Sequence, residues 1–193
     1  MSSRRLLTIG AVTIVALAAI ALVLLRAPRL SSRATATPRA AAAPPPTVPA
    51  PPGRKIKARL FYVADDGTRL ASVERDIAYG DGATAQAREI VAAQIAAVAT
   101  PVVSAVPAGT ALRAVFLTEG GEAYVDLSRE VVSAHPGGTL NELLTVYTIV
   151  NALTVNLPAV TAVQLLVDGK EVETLAGHVD LRHPLAKNLS WVQ

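Results

Sequence analysis

Residues Gly137 to Pro158, GGTLNELLTVYTIVNALTVNLP, predict one long helix with a signal at each end, on which the neighbouring strands pack. Thr139 and Glu142 match a capping box, in which the Thr139 hydroxyl accepts from the backbone N–H three residues on and the Glu142 carboxylate accepts from the Thr139 N–H. Asn156 is suited to the left-handed residue at a helix end, and Pro158 lacks the N–H that a further turn needs. The positions predicted to share one buried side recur every three or four residues: Leu140, Leu143, Leu144, Tyr147, Val150, Leu153, Thr154 and Leu157.

Charge is unevenly distributed along the 193 residues. Residues 1–59 hold ten Lys and Arg and no acid, whereas residues 60–193 hold eight Lys and Arg against fifteen Asp and Glu, a balance of −7. An acidic folded part argues against nucleic acid as a partner, because nucleic acid requires a basic patch. With no Cys, the chain has no disulfide, thiolate metal site or lipid-modified Cys, and it suits either side of a membrane.

An uncharged apolar run of 20 residues extends from Leu6 to Leu25, after a short tail of residues 1–5. About 20 apolar residues span a hydrocarbon core roughly 30 Å thick, so this run is predicted to be a transmembrane helix. A cleaved signal peptide is the alternative, although its apolar region usually has about 7–15 residues. The length of the run therefore favours a membrane anchor.

Arginines lie on both sides of this run and leave its orientation open. Two of them precede it, and four follow it within residues 26–39. The positive-inside rule slightly favours placing the C-terminal part inside the cell, but a long segment translocates largely regardless of its charge. Charge alone does not assign the side of the membrane.

Residues 26–54 form a predicted linker, because they are rich in Pro, Ala and Arg and show no hydrophobic period. A Pro-rich segment extends by about 3.1 Å per residue, so roughly 25 residues would hold a domain up to about 75 Å from the bilayer. A passive spacer is the favoured interpretation, and a proline motif that binds a partner is the alternative. The globular domain is predicted to occupy residues 55–193.

Three hairpins are predicted in the globular domain. Their turns are Asp65-Asp66-Gly67, Gly120-Gly121 and Asp168-Gly169, in which Gly accepts a positive φ freely. Apolar runs flank each turn, as strands of a hairpin require. The predicted strands are Lys57–Ala64 with Arg69–Ile77, Ala111–Thr118 with Glu122–Leu127, and Val160–Val167 with Glu171–Leu175.

A second helix is predicted over Thr84 to Ala99, with its start near Asp81 or Thr84 and its end before Pro101. The order hairpin, helix, hairpin, helix, hairpin predicts an α+β domain, in which two helices pack on a largely antiparallel sheet built from three hairpins. The C-terminal tail is predicted to be irregular. Its residues expected to pack on the body are Leu181, Leu185, Leu189 and Trp191.

The serines and histidines do not form a hydrolase motif, since none of the serines lies in a G-x-S-x-G elbow. Ser128 is predicted to cap the short turn into Arg129. His135 is predicted to lie in a tight His-Pro-Gly-Gly turn before the central helix, and an anion site there is the less favoured alternative. The nucleophiles and bases considered are Ser104, Ser128, Ser133, His135, His178 and His183.

Metal, glycoside and phosphate chemistry also lack the required spacing. His178, Asp180 and His183 do not match a zinc motif, so a solvated tail is expected. Residues 119–126 contain three carboxylates, but the sequence indicates no groove for a glycan. No stretch matches the phosphate-binding G-x-x-x-x-G-K pattern. We therefore predict a non-enzyme with no catalytic, cofactor-binding or metal-binding residues and no small-molecule substrate.

Four stretches resemble the GerMN domain and follow one another in family order. They are LFYVADDGTRLASVERDI, SAVPAGTALRAVFL, EAYVDLSREVV and NELLTVYTIVNALTVNLPAVTAVQLLVDGKEV, and the match covers residues 59–172. The most specific pieces are Ser104–Thr110, Tyr124–Ser128 and Val167–Lys170. This is the module of the sporulation and spore-germination protein GerM, and it also occurs in the actinobacterial lipoprotein LpqB.

The resemblance implies a membrane-tethered interaction or scaffold module on the extracytoplasmic side of the cytoplasmic membrane, with no known enzymatic reaction. It thereby favours the outward orientation of a single-pass anchor. This sequence departs from the family examples in having one copy of the domain where GerM has two, and a hydrophobic run in place of a lipid-modified Cys. These departures leave the sporulation role open.

Two classes of function follow for such a module. An adaptor would dock an envelope protein, with the edges of the sheets as the docking surface. A peptidoglycan-binding module would need aromatic platforms, and only 4% of the residues are aromatic. A cell-wall hydrolase is a third and remote alternative.

Overall fold

The computed structural model describes residues 53–193, so the predicted transmembrane helix and most of the predicted linker 26–54 lie outside the described residues. None of the helices described there is long and apolar enough to cross a membrane. The elements in chain order are β1 (Lys55–Val63), β2 (Leu70–Ala78), α1 (Ala83–Ile95), β3 (Leu112–Leu117), β4 (Glu122–Leu127), α2 (Glu130–Ser133), α3 (Thr139–Asn156), β5 (Ala162–Val167), β6 (Lys170–Glu171) and β7 (Leu185–Ala186).

The strands form two sheets, whereas the sequence predicted one. β1 and β2 form an antiparallel two-stranded sheet, and the second sheet has the order β3-β4-β5-β6 with β7 also paired to β5. β3 and β4 are antiparallel, but β4 and β5 are parallel. A parallel pair needs a crossover connection, which α3 supplies here. The α+β class, the hairpins and the largely antiparallel pairing are confirmed, because only β4 and β5 run parallel, but the single sheet is wrong.

The third hairpin has the predicted turn but a shorter second strand. Asp168 and Gly169 have positive φ values of 49° and 76°, which suit the twist of a two-residue hairpin turn. β6 ends at Glu171 and does not continue to Leu175. The reason is that the Leu175 N–H donates to the buried carboxylate of Glu142 and not to a strand.

α3 is buried more completely than the predicted single stripe. It packs against β1 of the first sheet, β5 of the second sheet and α1, and the core lies around it. Between residues 144 and 154 only Tyr147 is partly exposed. Burial on all sides is typical of a helix in the interior of a domain. The buried polar residues that donate side-chain hydrogen bonds from this helix are Thr145, Thr148, Asn151 and Thr154.

Both predicted end signals of α3 are wrong in detail, although the helix does end before Pro158. Gly138 is the N-terminal cap, with φ 86° and ψ 144°, and no side chain makes a capping hydrogen bond. The capping box fails because Thr139 is already helical and Glu142 bonds elsewhere. At the other end Asn156 is helical and not left-handed, and the chain leaves the helix at the residue after it.

Two smaller differences concern α1 and the C-terminal tail. α1 ends at Ile95 and not at Ala99, because Ala96 leaves the helical region with a ψ of 147°. In the tail, three of the four residues expected to pack are at least partly buried, but Leu189 is 44% exposed. The tail also contributes β7, so it is not wholly irregular.

Candidate interaction surface

Side-chain amides close the outer edge of β1. Gln94 Oε1 accepts from the Phe61 N–H at 2.8 Å, and Gln94 Nε2 donates to the Phe61 carbonyl at 2.7 Å. Asn156 makes the same two contacts with Arg59, at 2.8 and 2.7 Å. Each amide reproduces the pair of hydrogen bonds that a residue of a neighbouring strand makes. Another strand therefore cannot pair with β1 at these positions.

β2 forms the opposite edge of the first sheet. At its start, the Leu70 N–H donates to the Trp191 carbonyl at 2.7 Å, and the Gln193 N–H donates to the Leu70 carbonyl at 2.9 Å. At its end, Gln86 Nε2 lies 3.4 Å from the Ala78 carbonyl. Both ends of this edge are thus occupied by other parts of the domain.

The middle of the same edge is open. Backbone directions alternate along a strand, so Ser72, Glu74 and Asp76 point outward as Leu70 does. No residue of the described range 53–193 makes a hydrogen bond to their backbone N–H or C=O groups. We call these three residues the β2 edge. They extend over roughly 13 Å of strand, enough for a partner segment of about five residues.

Glu142 is the most deeply buried charged group of the described residues, and it binds backbone. Its Oε1 accepts from the Leu175 N–H at 2.7 Å, and its Oε2 accepts from the His178 N–H at 2.8 Å. Burial acts to raise the pKa of this carboxyl, but hydrogen bonds from the backbone of residues 175–179 outweigh it, and the net pKa is lowered. The carboxylate thus anchors the segment that follows β6.

A second group of charges joins the strands of the larger sheet. Asp126 Oδ2 lies 3.1 Å from Arg113 Nε, and Asp126 Oδ1 accepts from the Gly169 N–H at 2.7 Å. Asp168 lies 3.5 Å from Arg113 Nη1 and 3.7 Å from Arg129 Nε. This group therefore holds the turn between β5 and β6 against β3 and β4.

Comparison with known families assigns the fold. The family described as Germane, sporulation and spore germination, matches residues 59–173. The chain belongs to this family. No curated protein matches the chain significantly.

Solved GerMN domains have a similar fold. The tandem GerMN domains of the sporulation protein GerM from Bacillus subtilis match with a TM-score of 0.51 and 16% identity, over 69% of this chain and 46% of that chain. The first GerMN domain of that protein matches with a TM-score of 0.48 and 20% identity, over 68% of this chain and 97% of that chain. A protein described as a lipoprotein of Clostridium perfringens matches with a TM-score of 0.49 and 22% identity, over 69% of this chain and 88% of that chain. At 16% identity the likeness to the tandem domains concerns the fold alone.

The motifs that carry the family resemblance stabilise this GerMN domain. Asp126 of the second motif bonds to Gly169 of the third, as described above. Ser128 Oγ accepts from the Ala111 N–H at 2.9 Å, directly after the first motif. The prediction that Ser128 caps the turn into Arg129 is therefore wrong. Its hydroxyl ties β4 to the residue before β3, and its carbonyl accepts from the Val131 N–H at 3.2 Å.

His135 lies in the predicted entry turn of α3. Its Nδ1 accepts from the Gly137 N–H at 2.9 Å, and its Nε2 is 3.2 Å from Thr145 Oγ1. Thr145 Oγ1 in turn donates to the Ala105 carbonyl at 2.6 Å. Burial lowers the pKa of the His135 imidazole, which favours the neutral form that accepts from Gly137. This chain of contacts joins α3 to the first motif of the GerMN domain.

The structure does not bring the other candidate residues together. Ser104 Oγ accepts from the Val106 N–H at 3.1 Å, and His178 Nδ1 lies 3.2 Å from Glu142. Asp180 forms a bidentate pair with Arg182, which holds the pKa of the Asp180 carboxyl well below its ordinary value. Within residues 53–193 no group of three His, Cys, Asp or Glu side chains is arranged to hold a metal ion.

Tyr62 carries a buried hydroxyl that has no hydrogen-bond partner among the described residues. The residue is 2% exposed, and burial raises the pKa of its phenol, while the Arg75 guanidinium 5.1 Å from the ring centroid acts in the opposite direction. A buried polar group without a partner lowers stability, because it loses its hydrogen bond to water on folding.

Replacing Tyr62 by Phe is expected to raise the free energy of unfolding by about 1 kcal/mol, because the unpartnered hydroxyl is removed and the ring is kept. Urea unfolding of the full-length protein in detergent micelles measures the change. Tyr79→Phe is the matched control and should have no effect, since Tyr79 is partly exposed. A loss of stability in Tyr62→Phe would show that the hydroxyl has a partner.

Proposed function

We propose that this protein is a non-enzymatic, membrane-anchored interaction module of the cell envelope, with its GerMN domain on the extracytoplasmic side of the cytoplasmic membrane. Membership of the sporulation and spore-germination family supports an envelope role. Leu6 to Leu25 supplies a single-pass anchor in this proposal, and residues 26–54 give the domain its reach. Its partner is an envelope protein.

The open β2 edge is the observation that carries the proposal. Unpaired N–H and C=O groups on an exposed strand pair readily with a strand of another chain. On β1 the corresponding backbone groups of Arg59 and Phe61 are already bonded to amide side chains. A partner strand at β2 would extend the first sheet from two strands to three.

The buried polar groups support a role in binding over one in catalysis. Glu142 and Asp126 each bond to the backbone of another segment of the domain, and His135 bonds to the backbone of its own turn before α3. A catalytic acid, base or nucleophile would instead face a site where a substrate fits. These side chains hold the scaffold that presents the strand edges.

Replacing Glu74 by Pro tests the proposed surface. The Glu74 N–H points away from β1, so Pro removes no hydrogen bond of the hairpin and the domain stays folded. We expect loss of the partner protein that the full-length protein recovers from crosslinked cells. Ala83→Pro is the matched control, because Ala83 is the first residue of α1, where Pro is tolerated.

Unchanged recovery in Glu74→Pro and in Ser72→Pro, with both variants folded, would contradict docking at the β2 edge. Recovery should remain at the wild-type level in Ala83→Pro. Circular dichroism of each purified variant checks the fold.

A peptidoglycan-binding module is the second candidate, and one exposed aromatic ring favours it. Phe116 is 59% exposed on β3, and an exposed ring is a platform for a sugar. The aromatic rings of Phe61 and Tyr62 are buried and supply no platform. If the protein cosediments with purified sacculi and Phe116→Ala abolishes this, the result would favour the wall-binding function over the adaptor function.

A further inference from the structure

The second sheet has one face turned away from α3, and this face is incompletely covered. Side chains alternate between the two faces of a strand. Val115 and Val125 are buried toward the helices, so Phe116 and Tyr124 lie on the opposite face. These two residues are direct partners in the antiparallel pair β3–β4, and Tyr124 is half-buried. Two aromatic rings therefore lie side by side on an accessible sheet face.

Two carboxylates flank these rings. Tyr124 Oη donates to Glu122 Oε2 at 3.3 Å. Glu171 on β6 pairs with Leu166 on β5, and Leu166 pairs with Asp126 on β4. Asp126 is two residues after Tyr124, so the side chains of Glu171 and Tyr124 project from the same face of the sheet. The negative charge of Glu122, then burial, and also the charge of Glu171 raise the pKa of the Tyr124 phenol, consistent with both carboxylates lying nearby.

Neither carboxylate has a cationic partner in the described part of the chain. Lys170 pairs with Val167 and so lies on the other face of β6. Arg113 is engaged by Asp126 and Asp168. The unpaired charge of this face is thus negative, with Glu122 next to the rings on β4 and Glu171 farther away on β6.

We propose that this acidic aromatic patch, formed by Phe116, Tyr124, Glu122 and Glu171, binds a basic segment of a partner protein. One Arg or Lys side chain of the partner lies over the Phe116 ring and pairs with Glu122, and a second pairs with Glu171, which lies three strands away on β6. A cation over an exposed ring strengthens binding about two- to fivefold, and the carboxylates add an attraction that salt screens. This inference rests on the proposed function as an adaptor and adds the chemistry of its partner.

Charge selects a basic protein segment over a wall polymer. A glycan can stack on Phe116, but unpaired carboxylates beside the ring repel polymers that carry carboxylate or phosphate groups. The same charges attract guanidinium and ammonium groups. The patch lies on the second sheet, so it is separate from the β2 edge on the first sheet.

A fluorescent eight-residue peptide of alternating Arg and Ser is the probe, with a peptide of alternating Glu and Ser as its control. Fluorescence anisotropy with the full-length protein in detergent micelles measures the dissociation constant. We expect saturable binding of the basic peptide that weakens as salt is raised from about 0.05 to 0.5 M. The acidic peptide should not bind.

Variants locate the binding site. Phe116→Ala should weaken binding about two- to fivefold, and Glu122→Gln combined with Glu171→Gln about tenfold. Leu189→Ala and Glu89→Gln are the matched controls, since they remove an exposed apolar residue and a carboxylate elsewhere, and both should bind as the wild type does. Absence of binding, or equal binding by all variants, would overturn the proposal.

Recovery of the partner from crosslinked cells separates this inference from the proposed function. Loss of the partner in the combined Phe116, Glu122 and Glu171 variant supports the patch. A partner that is still recovered by this variant but lost in Glu74→Pro overturns the patch and leaves the adaptor function standing. Recovery of no envelope protein by the wild type contradicts the adaptor function itself.

Discussion

Replacing Glu142 by Gln is expected to lower the free energy of unfolding by about 3 kcal/mol. The variant keeps the size and shape of the side chain but replaces one acceptor oxygen by an NH2 donor. The remaining oxygen accepts from one of the two N–H groups of Leu175 and His178, and the NH2 donor faces the other, which then lacks an acceptor in a buried site. Urea unfolding of the full-length protein in detergent micelles measures the loss.

The pH dependence of stability gives a second readout for Glu142. The pKa of its carboxyl is lowered in the folded protein relative to its ordinary value of 4.5. The unfolded chain therefore binds the proton more readily, so this stabilisation is complete above pH 4.5 and is lost as the pH falls below it. Glu142→Gln should remove this contribution, and its stability should fall less steeply with acid than that of the wild type.

Glu89→Gln is the control for both measurements, because Glu89 lies on α1 and its side chain makes no hydrogen bond or ion pair within residues 53–193. Its stability should equal that of the wild type to within about 0.5 kcal/mol. A loss below 1 kcal/mol in Glu142→Gln would mean that the segment after β6 does not depend on this carboxylate.

The second large effect is expected for Gln94→Met, which should lower the free energy of unfolding by about 2–3 kcal/mol. Met fills nearly the same volume but leaves the buried Phe61 N–H without an acceptor. The Phe61 carbonyl keeps one donor, because Thr148 Oγ1 donates to it at 2.8 Å. The loss of stability therefore comes mainly from the Phe61 N–H, which no longer has an acceptor.

Amide hydrogen exchange separates this mechanism from a general loss of packing. The Phe61 N–H should exchange much faster in Gln94→Met, while the Leu60 N–H, which points toward β2, should change only with global stability. Gln193→Met is the control for the substitution itself, since Gln193 is exposed. Equal protection of the Phe61 amide in variant and wild type would contradict the role of Gln94.

Local signals predicted the elements well, because they depend on a few neighbouring residues. The Asp-Gly turns and the helix before Pro158 are examples, since positive φ and a missing N–H act within one turn of the chain. The sequence did not predict that β4 and β5 run parallel. That pairing depends on where α3 returns the chain, which no local residue encodes.

The same distinction applies to the polar side chains. Glu142 matched a local capping box, but a partner 33 residues away provides a better set of donors, so the tertiary contact prevails. Gln94 belongs to no recognisable motif. It does lie four positions after Ile90 on the buried side of α1, and a polar residue there indicates a buried hydrogen-bond partner. The open β2 edge follows from the pairing of whole strands and is invisible in the sequence.

Site-specific photo-crosslinking from position 74 in living cells tests whether an envelope protein docks at the β2 edge. A photoreactive amino acid replaces Glu74 on the β2 edge, a second variant carries it at the exposed position of Arg88 on α1, and mass spectrometry identifies the products. We expect crosslinks from position 74, and none from position 88, to a defined protein of the extracytoplasmic side. Crosslinks only to peptidoglycan, or to cytoplasmic proteins, would contradict it.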